Sequence, residues 1–115
     1  MKELVWVGSS LDDLREFPEK IMDMIGYSLH EIQEGFKPKN AKPLTEIGSG
    51  IMEIVADFDK NTYRAVYAVK IGEVIYVLHC FQKKSKHGIA TPKQEINLIK
   101  RRFNEAKQLE KEREK

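Results

Sequence analysis

Cysteine is nearly absent from this chain, and Cys80 is the only one. No intramolecular disulfide can therefore form and no thiolate zinc cluster can be built, a usage that suits the reducing cytoplasm as the expected location. No apolar run approaches the ~18 residues of a membrane span, and MKELVWVG at the start is too short for a signal peptide, so neither membrane insertion nor export is expected. Glycine-rich phosphate loops are missing as well, because GSG at 48–50 lacks both the lysine and the spacing. His30, His79 and His87 lie far apart without metal-ligand spacing, so neither a metal nor a small-molecule cofactor is expected. His79 and Cys80 are neighbours in a strand-like run and point to opposite faces, which excludes a catalytic dyad and leaves His79 as a satisfied histidine at the sheet surface. Four prolines and seven glycines in 115 residues, with 41% hydrophobic and 33% charged, exclude a disordered or fibrous chain. One domain over 1–115 is expected, with a tail fraying from about residue 108, where QLEKEREK has almost no apolar content.

What the chain does have is segregated charge. Residues 1–35 hold three basic and eight acidic side chains, a net of −5, whereas residues 82–103 hold seven basic and one acidic, a net of +6. The whole sums to only +2. Such a division suggests a polyanion-binding face and a separate acidic one; the alternative is a solvated helix surface.

Hydrophobic pattern orders the elements. ELVWV at 3–7 reads as a strand ended by Gly8, and Ser10 stands at an N-cap position before a short helix, LDDLREF. Pro18 opens a second helix whose Ile21, Met22, Ile25, Leu29 and Ile32 keep the helical period until Gly35. Residues 36–50 read as a loop. IMEIVADF, YRAVYAVK and VIYVLHCF, separated by DKNT and IGE, predict an antiparallel meander. A final helix follows, with Thr91 as N-cap, Pro92 first in the helix, Gln94 completing a capping box, and an apolar stripe through Ile96, Ile99, Phe103, Ala106 and Leu109. The fold class is α+β, a small antiparallel sheet with one face buried beneath helices.

Two features carry chemistry. Alternation puts Arg64 on one strand face with Val66, Ala68 and Lys70, where an arginine needs a solvated groove or a partner such as Glu53 on the adjacent strand. FQKKSKHGIATPKQEI at 81–96 packs Lys83, Lys84, Lys86 and His87 just before the last helix. Converging cations lower one another's pKa, so one lysine can accept a proton while its neighbours hold phosphate. That set permits RNA cleavage without metal: a 2′-hydroxyl attacks the adjacent phosphorus while arginine and lysine stabilise the charge on the phosphoryl oxygens.

TYRAVYAV, then IYVLHCFQKKSKHGIATPKQEI, with PLTEIGSGIMEIV upstream, resembles the HigB-like, phage-derived branch of the RelE/ParE toxin superfamily of type II toxin–antitoxin systems. The resemblance covers nearly the whole chain, and the combination of YR with HxFxKKSxxGxATPxxEI is its most specific part. It implies a RelE/ParE-like domain and a toxin that cleaves mRNA on the ribosome, silenced by a helix-turn-helix antitoxin. It implies catalytic roles for Arg64, Lys83 and Lys84, and RNA contacts for Lys86, His87 and Lys93. Val55 stands where many relatives carry arginine, and no tyrosine or histidine follows Pro92. The competing expectations are a ParE-type, non-enzymatic inhibitor of DNA gyrase and an inactive RNA-binding relative.

Overall fold

In the computed structural model, residues 1–83 and 91–114 are described, with the backbone alone for Lys70. The elements are β1 (Glu3–Trp6), α1 (Ser10–Arg15), α2 (Glu19–Gln33), β2 (Ala41–Pro43), β3 (Ile51–Phe58), β4 (Asn61–Ile71), β5 (Val74–Lys83) and α3 (Lys93–Arg113). They build a five-stranded sheet in the order β1-β5-β4-β3-β2. The meander β3-β4-β5 is antiparallel as its hairpin spacings predict, but β1 joins it parallel, with Glu3 opposite Val74 and Trp6 opposite Val77. The sheet is therefore mixed. β2, inside the expected loop, adds antiparallel to β3.

Helices cover both faces rather than one. Leu14, Ile21, Ile25, Leu29 and Ile32 from α1 and α2 pack with Ile54, Ala65, Tyr67 and Val77 on one side. Ile99, Phe103 and Ala106 from α3 pack with Ile51, Val66, Ala68, Tyr76 and Leu78 on the other. Successive residues of β4 and β5 are consequently buried in both directions, the pattern of a strand with no solvent face. The sheet separates two helical layers of opposite charge: α1 and α2 together hold two basic and five acidic residues, and α3 holds seven basic and four acidic. No helix among the described residues is long and apolar enough to cross a membrane.

Three helix ends differ from expectation. Ser9, not Ser10, is the N-cap of α1; Ser10 is buried and its Oγ donates to the Val77 carbonyl at 3.1 Å, fastening α1 to β5. Pro92 rather than Thr91 caps α3, because its ψ of 143° is extended while its carbonyl accepts the Ile96 N–H at 3.0 Å. Finally, α3 continues to Arg113 through the stretch expected to fray. There Glu110 accepts from the Tyr76 hydroxyl at 2.8 Å, and Arg113 pairs with Glu3 at 2.7 Å. Side-chain partners rather than apolar burial hold this last turn.

Candidate functional site

Arg64 lies on the α3 side of β4, opposite Val55 of β3 and Phe81 of β5. It is 6% exposed and ion-paired with Glu53, which is 1% exposed. Glu53 in turn faces Lys42 directly across the β2–β3 ladder, with Lys42 Nζ at 3.7 Å. A buried carboxylate thus sits between two cations, as burying either charge requires. Among the described residues, Glu53 Oε2 and Arg64 Nε find no hydrogen-bond partner.

Lys83 pairs with Thr62, two residues from Arg64 and on the same face. Such diagonal neighbours have backbones about 7–8 Å apart, within reach of long side chains. Burial first, then the positive charges of Arg64 and Lys42, lower the Lys83 pKa; Glu53 and Glu46 oppose that shift. The expected effect of neighbouring cations is thus present but second to desolvation.

A β-bulge brings Lys83 to this face. Ala68 faces Tyr76 and Tyr67 faces Val77, but Val66 faces His79, so Leu78 is an extra residue in β5. Without it, everything after Leu78 would exchange faces, and Lys83 would point away from Arg64. The carbonyl of Leu78 accepts from Arg102 Nη1 at 3.0 Å. Arg102 Nη2 donates to Ser9 Oγ at 2.8 Å, and Ser9 Oγ donates to Asp13 at 2.9 Å. Gly8 makes room for this arginine: with φ at +57°, a Cβ there would lie 2.8 Å from Arg102 Nε.

His79, also next to the bulge, is buried between α1 and α3. It is satisfied, as expected, though beneath a helix rather than at an open sheet surface. Burial lowers its pKa and outweighs the opposing carboxylates of Glu95 and Asp13. In the neutral ring, Nε2–H donates to Glu95 and Nδ1 accepts from Arg102 Nη1 at 3.3 Å, so both nitrogens are occupied. The adjoining cavity of about 390 Å³ is lined by Asp13, Glu16, Glu95, Phe17, Tyr63 and Phe81, among others. Its carboxylates make it a poor place for a phosphate.

Of the residues expected to act, the structure places Arg64 and Lys83 together, and Lys93 on the exposed first turn of α3. Lys84, Lys86 and His87 lie outside the described residues. Sequence reasoning did not single out Lys42 or Arg102. Lys42 sits in a three-residue strand ending in proline, which gives no readable alternation, whereas Arg102 adjoins Phe103 of the α3 stripe and could have been suspected from its position.

Comparison with family models finds phage derived protein Gp49-like, matched over residues 12–104. No curated protein matches. Among solved structures, a chain of the intact E. coli RelBE toxin–antitoxin complex aligns with a TM-score of 0.55 at 17% identity, covering 76% of this chain and 100% of that one. The isolated E. coli RelE toxin aligns with a TM-score of 0.53 at 16% identity, covering 88% and 98% respectively. Identities this low speak for the fold alone. Family match and shared architecture together give one conclusion: the chain belongs to the phage-derived Gp49-like family and has the fold of the RelE/ParE superfamily.

Proposed function

We propose that this chain is the toxin of a toxin–antitoxin pair and acts as an mRNA endonuclease on the translating ribosome. The observation that carries the reading is Lys83 beside Arg64 on one sheet face, in a chain with a RelE-like fold and a Gp49-like family match. Lys83, with its lowered pKa, takes the proton of a 2′-hydroxyl, whose oxygen bonds to the adjacent phosphorus as the bond from phosphorus to the 5′-oxygen breaks. Arg64 stabilises the charge on the phosphoryl oxygens, and the departing 5′-oxygen takes a proton from water. A substrate phosphate competes with Glu53 for the guanidinium. In this reading Lys84 is the second catalytic lysine, and Lys86, His87 and Lys93 follow the RNA backbone. The protein works in the cytoplasm as one domain, and a helix-turn-helix antitoxin silences it.

Arg64 is a poor probe because removing it strands the buried Glu53. Lys83→Ala is cleaner. Inducing the wild-type chain and mapping transcript ends is expected to reveal new ends within mRNA, and the same experiment with Lys83→Ala to lose them. Intact transcripts during wild-type growth arrest, or undiminished cleavage in the variant, would refute the proposal. A DNA-damage response without translation arrest would favour gyrase as the target.

A further inference from the structure

Six large apolar side chains stand in solvent among the described residues, and three of them, Met24, Tyr27 and Phe36, gather on the outer side of α2. Tyr27 and Phe36 are each 67% exposed. Two cavities of about 360 Å³ meet here, sharing Tyr27 and Glu31; one runs on to Met24 and Lys39, the other to Glu34 and Phe36.

The end of α2 explains why the Phe36 ring is left in water. Gly35 takes φ +95°, its N–H bonds to the Ile32 carbonyl, and the Phe36 N–H bonds to the Glu31 carbonyl. These are the two hydrogen bonds of a Schellman motif, in which an apolar residue at the Phe36 position usually covers an apolar side chain in the last turn. Here the corresponding positions are His30 and Glu31. The backbone fixes the ring's place and the helix gives it no apolar partner.

Charge identifies what would cover it. A helix C-terminus carries negative partial charge, and acids there oppose helix stability. Glu31 and Glu34 nevertheless stand at this end, and His30 lies 3.8 Å from Glu34. Aromatic faces beside carboxylates make a site for a cation, since ring quadrupole and carboxylates attract it together. Lys39 stands at the Met24 end, so the cation's place is the Phe36 end. A second copy meeting this face through its own α2 would set acid against acid, and RNA would set phosphate against acid.

Resting on the toxin reading, we propose that this face docks a cationic, amphipathic segment of the antitoxin, with an arginine or lysine over Tyr27 and Phe36 and paired with Glu31 and Glu34. The site lies on the helical layer opposite α3, so it does not overlap the lysine and arginine face.

The test uses the full chain and the product of the reading frame that adjoins its gene. In a binding titration, Tyr27→Ala with Phe36→Ala is expected to weaken affinity at least about 30-fold, as loss of aromatic anchors does. Glu31→Gln with Glu34→Gln is expected to weaken it less and to flatten its salt dependence. The aromatic double variant keeps the wild-type thermal melt, because the truncated rings are exposed, and the glutamine double variant melts no lower, because acids at a helix C-terminus oppose helix stability. In cells, the aromatic double variant is expected to arrest growth like wild type and to escape rescue by the neighbouring product. Wild-type affinity and rescue in that variant would overturn the docking site while leaving the toxin reading intact. Failure of the wild-type chain to bind that product at all would overturn both. Concentration-dependent dimerisation that disappears in the aromatic variant would also overturn the proposal, by assigning the face to a second copy.

Discussion

Lys83 occupies a place that weakens its hold on its proton. Its proton is held less tightly in the folded chain than in the unfolded one, where lysine titrates near 10.5. Between the lowered value and 10.5 the unfolded state binds more proton, so stability rises with pH across that window. Below the window the penalty is present in full. Lys83→Met, which keeps the stem without the charge, is accordingly expected to raise the melting temperature at pH 7, with the gain shrinking as pH approaches 10.5. Melts at a series of pH values check this, and a lower melting temperature at pH 7 would show that the charge stabilises the fold. Of the candidate residues, Arg64 had the most legible surroundings: a lone arginine in an apolar alternating run needs a partner or a solvated groove, and Glu53 on the adjacent strand is its partner. That Glu53 also meets Lys42 could not be read from spacing, because β2 is too short to show a period.

At the level of elements, local pattern located most of the structure and missed what depends on distant partners. The three meander runs lie within β3, β4 and β5, and both long helices follow their stripes. β2 escaped because three residues, one a proline, show no period. The bulge at Leu78 escaped because an inserted residue in a strand buried on both faces breaks no visible alternation, although it determines which face receives Lys83. Its support comes from two elements and a turn: Gly8 after β1 leaves space, Arg102 of α3 fills it, and the Leu78 carbonyl of β5 accepts the hydrogen bond. Gly8→Ala should therefore destabilise the fold by about 1–3 kcal/mol, the cost of a left-handed non-glycine residue, and displace Arg102 besides. Chemical denaturation measures the loss. An unchanged midpoint would mean that Arg102 and the bulge adjust freely to each other.

For the whole molecule, the first and last elements are tied together. Arg113 reaches Glu3 and Glu110 holds the Tyr76 hydroxyl, so removing residues 108–115 should cost about 1 kcal/mol from the lost hydrogen bond to Tyr76, the exposed Arg113 pair adding little. A lower urea midpoint for the shortened chain checks this, and an unchanged one would return the tail to the frayed state its composition suggested. The parallel pairing of β1 with β5 has a consequence in time. Glu3 must wait for Val74, and Trp6 for Val77, before β1 has its neighbour. At ~5–20 residues per second, a ribosome needs roughly 4–14 s to make the intervening chain. For that interval the newborn N-terminus has no sheet to join, and Lys83 follows only at the end of the same strand. Synthesis order thus delays completion of the cationic face until most of the polypeptide has been made.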